Sequence, residues 1–471
     1  MLRWIAALCV PGLLSCQATE NAADAPSPSL EVGAFVVDLT PRLDADPVWM
    51  AGFGHGRSAE GVHDPIEARA IVFVNGEVRL ALVAVDLIGL FHEEVLAARR
   101  LLAEAAPRWS DGDLIVAATH NHEGPDTMGL WGETQLQCGI DPEYNDRVVA
   151  GIVRAVLEAE TLRRPARLRF GESRAPELLV DSRQPRIIDD RVLALRAVDS
   201  VDETIAALIN FGCHPEAMGS RNRELTADYP FFTRRLVERE LGGTAVFFSG
   251  AIGGLMTQLG LELQDPETGA VAPKRTFRFT EIYGEAVGRA ALEALDSGRW
   301  SESEALEAHF EQVDLPLTNP FYKTGLTLGI IGGGRTASRL KETGGEAWVF
   351  QSEVGLARIG DAELLLVPGE IYPELVMGGV PDPAPEGADF PDAPIEPPLL
   401  PRLTADYRFL IGLAGDEIGY ILPKRQWDQR KPFAYGLDDA PYGEINSVGP
   451  DAAAALSNAY DRLLRGEASD R

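Results

Sequence analysis

The chain has 471 residues, 45% hydrophobic and 24% charged, an ordinary globular composition with ample length for a large core. Its 72 acidic residues outnumber 43 basic ones for a formal charge of −29, and such a surface repels nucleic acid and anionic membranes as substrates. The acidity itself reads as solubility or adaptation to salt, and 47 glycines with 32 prolines fit a loop-rich enzyme better than a helical bundle.

Residues 1–15 read as a signal peptide, in which Arg3 is a minimal charged start and Trp4 to Leu14 an apolar run too short to span a bilayer. The run ends Leu13-Leu14-Ser15-Cys16, which is similar to a bacterial lipobox. That similarity implies cleavage before Cys16, lipidation of its thiol, and an exported lipoprotein anchored in a bacterial cell envelope. A plain secretory signal is the alternative. Residues 16–30, rich in Ala, Asp, Pro and Ser, form a flexible tether. No later stretch is long and apolar enough for a transmembrane helix, so membrane contact is expected through the anchor only. Residues 31–471 show no clean linker and no convincing internal repeat, and are expected to form one domain.

Six segments then share one grammar, an apolar strand followed by a polar or glycine-bearing loop. Leu80 to Val85 leads to Asp86, and Leu114 to Ala118 leads to Thr119-His120-Asn121-His122-Glu123-Gly124-Pro125. Ile205 to Phe211 leads to Gly212-Cys213-His214, and Ala245 to Phe248 to Ser249-Gly250. Leu364 to Val367 leads to Pro368-Gly369-Glu370, and Phe409 to Leu413 to Gly415-Asp416-Glu417 and Tyr420. Amphipathic helices are predicted over 93–106, 143–161, 229–241, 281–297 and 450–465. Strands interleaved with helices predict an α/β class with large mixed β-sheets covered by helices. Gln264 to Lys274 reads as a polar insertion. Pro381 to Pro401, with eight prolines, is neither helix nor inner strand and is either a lid or a surface loop. Cys138 and Cys213 either pair or leave Cys213 as a buried thiol beside His214.

The chain has seven histidines, and two lie in one tripeptide after a buried strand. Strand carboxyl ends are where chemistry collects in α/β folds, and an extended backbone would point His120 and His122 to the same side. His120, His214 and Glu370 each end a different strand. Two histidines with one glutamate are a known catalytic zinc set, and bound zinc lowers the pKa of its water to about 7.

These segments carry a resemblance. Thr119-His120-Asn121-His122-Glu123-Gly124-Pro125 is similar to the Thr-His-Thr-His-Ser-Gly-Pro motif of neutral/alkaline non-lysosomal ceramidases. Asn210 to Met218 resembles that family's second histidine segment, and Pro368-Gly369-Glu370 its Pro-Gly-Glu segment. Gly412 to Tyr420, then Tyr442 before Gly449-Pro450, resembles its tyrosine-rich part, while Gly61-Val62-His63 and Asp86 match its N-terminal part. The resemblance runs from about residue 33 to 465 and implies a ceramidase-like catalytic domain. It implies zinc held by His120, His214, Glu370 and Tyr420, with His122 assisting catalysis, Tyr442 as a further active-site tyrosine, and Arg183 where a substrate-contacting arginine would fall.

The sequence also departs from the family. Where ceramidases carry Gly-Asp-x-Ser-Pro, this chain has Gly253-Gly254-Leu255-Met256-Thr257, and a thioether neither attacks nor donates a proton. Thr257 stands one position from the serine's place, out of step with it unless the loop shifts. The family continues into an immunoglobulin-like domain where this sequence stops, and Asp86 falls where a carboxylate holds a metal between those domains. The expected protein is an exported zinc-dependent amidohydrolase acting in sphingolipid metabolism, cleaving a small-molecule or lipid N-acyl substrate with zinc-bound hydroxide. Two alternatives stand beside it. One is a dinuclear metallophosphoesterase using Asn121 and Asp86, with metals about 3.5–4 Å apart. The other is a catalytically altered lipoprotein that binds a lipid or a partner.

Overall fold

The computed structural model describes residues 30–44, 46–333, 340–343 and 347–466. The signal peptide, Cys16 and the tether as far as Ser29 lie outside them. The chain is a mixed α/β protein built on three principal sheets. In the first, Leu30–Asp38, Glu67–Asn75 and Val78–Val85 run antiparallel in turn, and Leu114–Ala118 then lies parallel to Val78–Val85. The second repeats this order with Arg167–Arg174, Arg191–Val198, Thr204–Phe211 and the parallel Thr244–Ser249. The third repeats it again with Leu306–Leu317, Ala347–Ile359, Ala362–Leu366 and the parallel Tyr407–Ile411. Each parallel step is bridged by a helix, His92–Ala105, Tyr229–Leu241 or the short Pro373–Met377. A further helix follows each parallel strand, Pro142–Thr161, Phe277–Ser297 or Ala452–Leu464. The fold thus has a threefold topological repeat that the sequence hides, because sheet order is fixed by burial pattern and many side-chain sets satisfy one pattern.

The three sheets pack on one another around a shared core to which each contributes, with Phe73, Phe170 and Phe409 among its residues. The helices cover the outer faces in separate clusters, such as Val148 and Ile152 over the first sheet and Tyr283 and Val287 over the second. All six predicted apolar strands are present, and the predicted helices are found with ends shifted by up to four residues. The first two strands of each sheet escape the sequence pattern. Leu306–Leu317 mixes buried and exposed positions, and Arg167–Arg174 is exposed at both ends, so neither reads as a continuous apolar run.

Two loops are tied down. In Gln264–Lys274, Gln264 bridges Val271, and Arg278 grips Asp265 at 2.7 and 2.9 Å. Within Pro381–Pro401, Asp389 N donates to Trp427 O at 2.8 Å, its carboxylate accepts from Gln429 N and Arg430 Nε, and Leu399 N donates to Leu375 O. Cys138 and Cys213 are both free thiols, and Cys213 is buried.

Asp86 is committed to structure. Its two oxygens take both terminal nitrogens of Arg234 at 2.6 and 2.9 Å, each side chain about 1% exposed, and it also accepts from Glu67 N. Asn121 is likewise occupied, donating to Asp86 O and Thr226 O and accepting from Glu123 N. Neither is left to hold a second metal. Breaking a buried pair strands the remaining charge, so Asp86→Ala is expected to cost about 3–5 kcal/mol in denaturant unfolding. Metal content per folded molecule should stay at the wild-type level, and its loss would restore Asp86 as a ligand.

Candidate functional site

The carboxyl ends of the three parallel strand pairs meet at one place. Leu114–Ala118 hands the chain to the first histidine pair, while Thr119 N donates to Val85 O at the end of the neighbouring strand and Asn121 N to Leu87 O just beyond it. His120 sits at φ +65°, in the left-handed region that L-residues with side chains seldom adopt, so the backbone here is not extended. The two rings still meet, with centroids 5.0 Å apart and edge to face, because the turn rather than a strand pleat brings them together.

Backbone carbonyls orient two of the rings. His120 Nδ1 donates to Ile88 O at 2.8 Å, and His214 Nδ1 donates to Met256 O at 2.8 Å, with His214 N on the same oxygen. Both Nε2 atoms then face one carboxylate oxygen, Glu370 Oε2, at 3.3 Å from His120 and 2.9 Å from His214. In a neutral ring that donates from Nδ1, Nε2 carries a lone pair, and two lone pairs against a carboxylate repel. A cation must lie among them, either ring protons or a metal. With protons alone, burial by itself would lower His214, but the Glu370 carboxylate overrides it and raises the ring. Glu370 is held well below the usual carboxylate range, its own burial outweighed by the His120 and His214 rings.

His122 completes a triangle of rings. It is half-buried beside the other two, and neither of its enclosed ring nitrogens has a hydrogen-bond partner. Donor atoms of His120, His122 and His214 all lie within 4.8 Å of one another. Burial first, then the neighbouring imidazoles, push His122 well below the ordinary histidine range. The two Nε2 atoms aimed at one Glu370 oxygen fit a metal ion chemically, and the unpartnered His122 ring beside them is left to take or give a proton. Gly52 makes the crowding possible, since a Cβ there would lie 2.4 Å from the His122 ring.

Tyr420 is aligned with Glu370 in a short parallel bridge, and its hydroxyl is 3.4 Å from His214 Nε2. Burial, then the Glu370 charge, push its phenol well above the usual range. Tyr442 is half-exposed beside it, ring centroids 5.9 Å apart, its hydroxyl pushed up to about 12 chiefly by burial. These groups open into a pocket of about 740 Å³, walled by Phe53, Val180, Leu255 and Leu259 with Ser182, Ser220, Thr257 and Glu216 between them. No residue of Pro381–Pro401 lines it.

Three positions differ from the sequence expectation. Arg183 does not line the pocket; it is locked in a two-pronged ion pair with Glu444 at 2.5 and 2.6 Å and reaches Tyr372, whose ring packs on Tyr420. The Met256 side chain is fully buried in the core beside Phe211 and Cys213 and contributes only its carbonyl. Thr257 is the hydroxyl that reaches the pocket, because the short Met256–Thr257 strand turns alternate residues to opposite sides. The sequence pattern also passes over Arg57. It is 3% exposed, donates to Ala51 O and His122 O, pairs with Glu123 at 3.4 Å and lies over the Phe53 ring. Its loop is polar and glycine-rich, with no periodicity to mark it.

His120→Ala and His214→Ala are each expected to abolish stoichiometric bound metal in the purified, folded protein. Elemental analysis checks this, and wild-type content in either variant would remove that residue from the ligand set.

Residues 31–257 match the family model described as neutral/alkaline non-lysosomal ceramidase, N-terminal. The chain is 28% identical over 237 residues to the neutral ceramidase of Mycobacterium tuberculosis, covering 45% of this chain and 36% of that protein. It is 28% identical over 218 residues to that of Pseudomonas aeruginosa, covering 43% and 31%. These matches span about a third of the length of the relatives. The crystal structure of the Pseudomonas aeruginosa neutral ceramidase superposes with a TM-score of 0.70 at 20% identity, over 94% of this chain and 75% of that one. A ceramidase complexed with C2 gives 0.68 at 19% identity, over 94% and 76%. At such identity the likeness establishes the fold.

Proposed function

We propose that this chain, whose residues 31–257 match the neutral/alkaline non-lysosomal ceramidase model, is a zinc-dependent hydrolase that cleaves the amide bond of an N-acyl, ceramide-like substrate. The observation that carries this reading is the pair of buried histidines, His120 and His214, with both Nε2 atoms aimed at one Glu370 oxygen and the unpartnered His122 ring beside them. Two histidines and a carboxylate are a donor set that suits zinc, and the Tyr420 hydroxyl, 3.4 Å from His214 Nε2, would be the fourth donor. Bound zinc would polarise the scissile carbonyl and make an attacking water acidic enough to react near neutral pH.

This chain's own residues would do the rest. The apolar wall of Phe53, Leu255 and Leu259 takes the acyl chain and keeps water from the reacting carbonyl. His122, held neutral by burial, accepts a proton from the attacking water on a ring nitrogen and passes it to the leaving amine. Tyr442, whose hydroxyl stays protonated at neutral pH, donates to the developing oxyanion. Arg183 acts through Tyr372 and Tyr420 as a positioning residue. Nothing in this scheme needs a hydroxyl at Met256, so Met256→Ser would place an alcohol in the core without adding a nucleophile.

The test joins metal analysis to a panel of N-acyl amides that includes ceramide and a phosphoester. One zinc per chain with amide cleavage is expected; two metals with phosphoester cleavage would overturn the reading, and no turnover of any member would leave a binding protein. His122→Ala should keep its zinc and lose about 10²–10⁴ in kcat, the usual worth of general acid–base help. Loss of metal in that variant would make His122 a ligand. For localisation, the lipobox-like Leu13-Leu14-Ser15-Cys16 supports an exported protein lipidated at Cys16. Mass spectrometry of the native protein should find the acylated thiol, and an unmodified Cys16 would refute it.

A further inference from the structure

Glu216 stands two residues after His214, half-buried, and lines the pocket with the histidines. Its Oε1 accepts the Thr257 hydroxyl at 2.6 Å. Among the described residues it has no ion pair, and no lysine or arginine lines the pocket. Arg183 is spent on Glu444, and Arg57 on Glu123 and backbone carbonyls. Exposed Arg275 packs its side chain against the Gly219 turn at the rim without pairing with Glu216. The pocket therefore holds a carboxylate anchored by a neutral hydroxyl and matched by no lysine or arginine of the lining. A charge in a cleft walled by Phe53, Val180 and Leu259 is screened less than one on the surface, and it is stabilised by a ligand that brings the opposite sign.

We propose that Glu216 is a specificity-determining residue, selecting N-acyl amides whose amine portion carries a second, cationic group and rejecting those that carry a carboxylate or phosphate. The inference rests on the amide-hydrolase reading of the same site and adds the class of amine it prefers. Thr257 fixes one oxygen, so the other is presented to the substrate as an acceptor of fixed position. A substrate ammonium meets it directly, a hydroxyl gains a single hydrogen bond, and an anion is repelled.

Three amides of one chain length separate these cases: N-octanoyl-1,4-diaminobutane, N-octanoyl-4-aminobutanol and N-octanoyl-4-aminobutanoic acid. With the metal-loaded protein at low salt, kcat/KM should fall in that order, with about tenfold or more between the first and last, mainly in KM and shrinking as salt is added. Glu216→Gln keeps an acceptor for Thr257 and should compress the cation-to-anion ratio towards one, and Glu216→Lys should invert it. A merely structural role would lower all three alike and leave the ratio unchanged, which would overturn the proposal, as would equal values in the wild type. If none of the amides is cleaved, amide hydrolysis fails on its own, and calorimetric binding of the same three compounds decides the inference. The same order, lost in Glu216→Gln, supports it; no order, or no binding, overturns it.

Discussion

Backbone from three separate sheets comes into hydrogen-bonding contact at the site, and the rest of the structure is arranged around that contact. Ala118 N donates to Leu413 O, Gly412 N to Ser249 O, and Ser249 Oγ to Thr119 O. Asn210 joins the second and third sheets by donating to Phe248 O and Leu410 O at once. At Gly412 a Cβ would fall 2.7 Å from Gly250 O, so this approach tolerates no side chain. Sheets usually meet through side chains about 10 Å apart, and closure to backbone distance is confined here to the strand ends. It is what sets His120, His214 and Glu370, which belong to different sheets, within hydrogen-bond range of one another.

The electrostatics follow from the same closure. The convergence buries carboxylates and imidazoles together, where each sets the charge of the next. Glu370 is kept ionised by two rings, while Glu417, buried behind it, is pushed well above the usual range by burial and then by the Glu370 charge. Elsewhere the chain neutralises its buried acids with bidentate arginines, as in Asp86 with Arg234 and Glu353 with Arg99. The pocket is lined by no such arginine. Those structural charges are closed off in pairs, whereas both nitrogens of His122 stand unpaired in the site.

Much of this was legible in the amino-acid order, and unevenly so. The strands at the parallel steps are continuous apolar runs because they are buried on both faces, so their ends, and His120, His214, Glu370 and Tyr420 with them, could be located. Antiparallel strands such as Arg167–Arg174 and Leu306–Leu317 are partly exposed and charged, so the threefold plan stayed hidden. Side-chain direction was less accessible still. One residue of register separates Met256 in the core from Thr257 in the pocket, and motif alignment assigns a position without saying which way it faces. Arg183 shows the same limit, since an arginine at the expected place is consumed by Glu444, a partner 261 residues away in sequence.

The threefold plan bears on biogenesis. The cluster draws one member from each topological unit, with Tyr420 arriving from the last parallel strand of the chain. No single unit carries enough donors to retain an ion, so partly made or partly folded chains would have only scattered histidines to offer. Contacts between residues 120, 214 and 370 close loops of about a hundred residues or more, and such closures come late because their entropy must be met before they return any stability. Uptake of a metal by this cluster would then have to wait until all three sheets have docked.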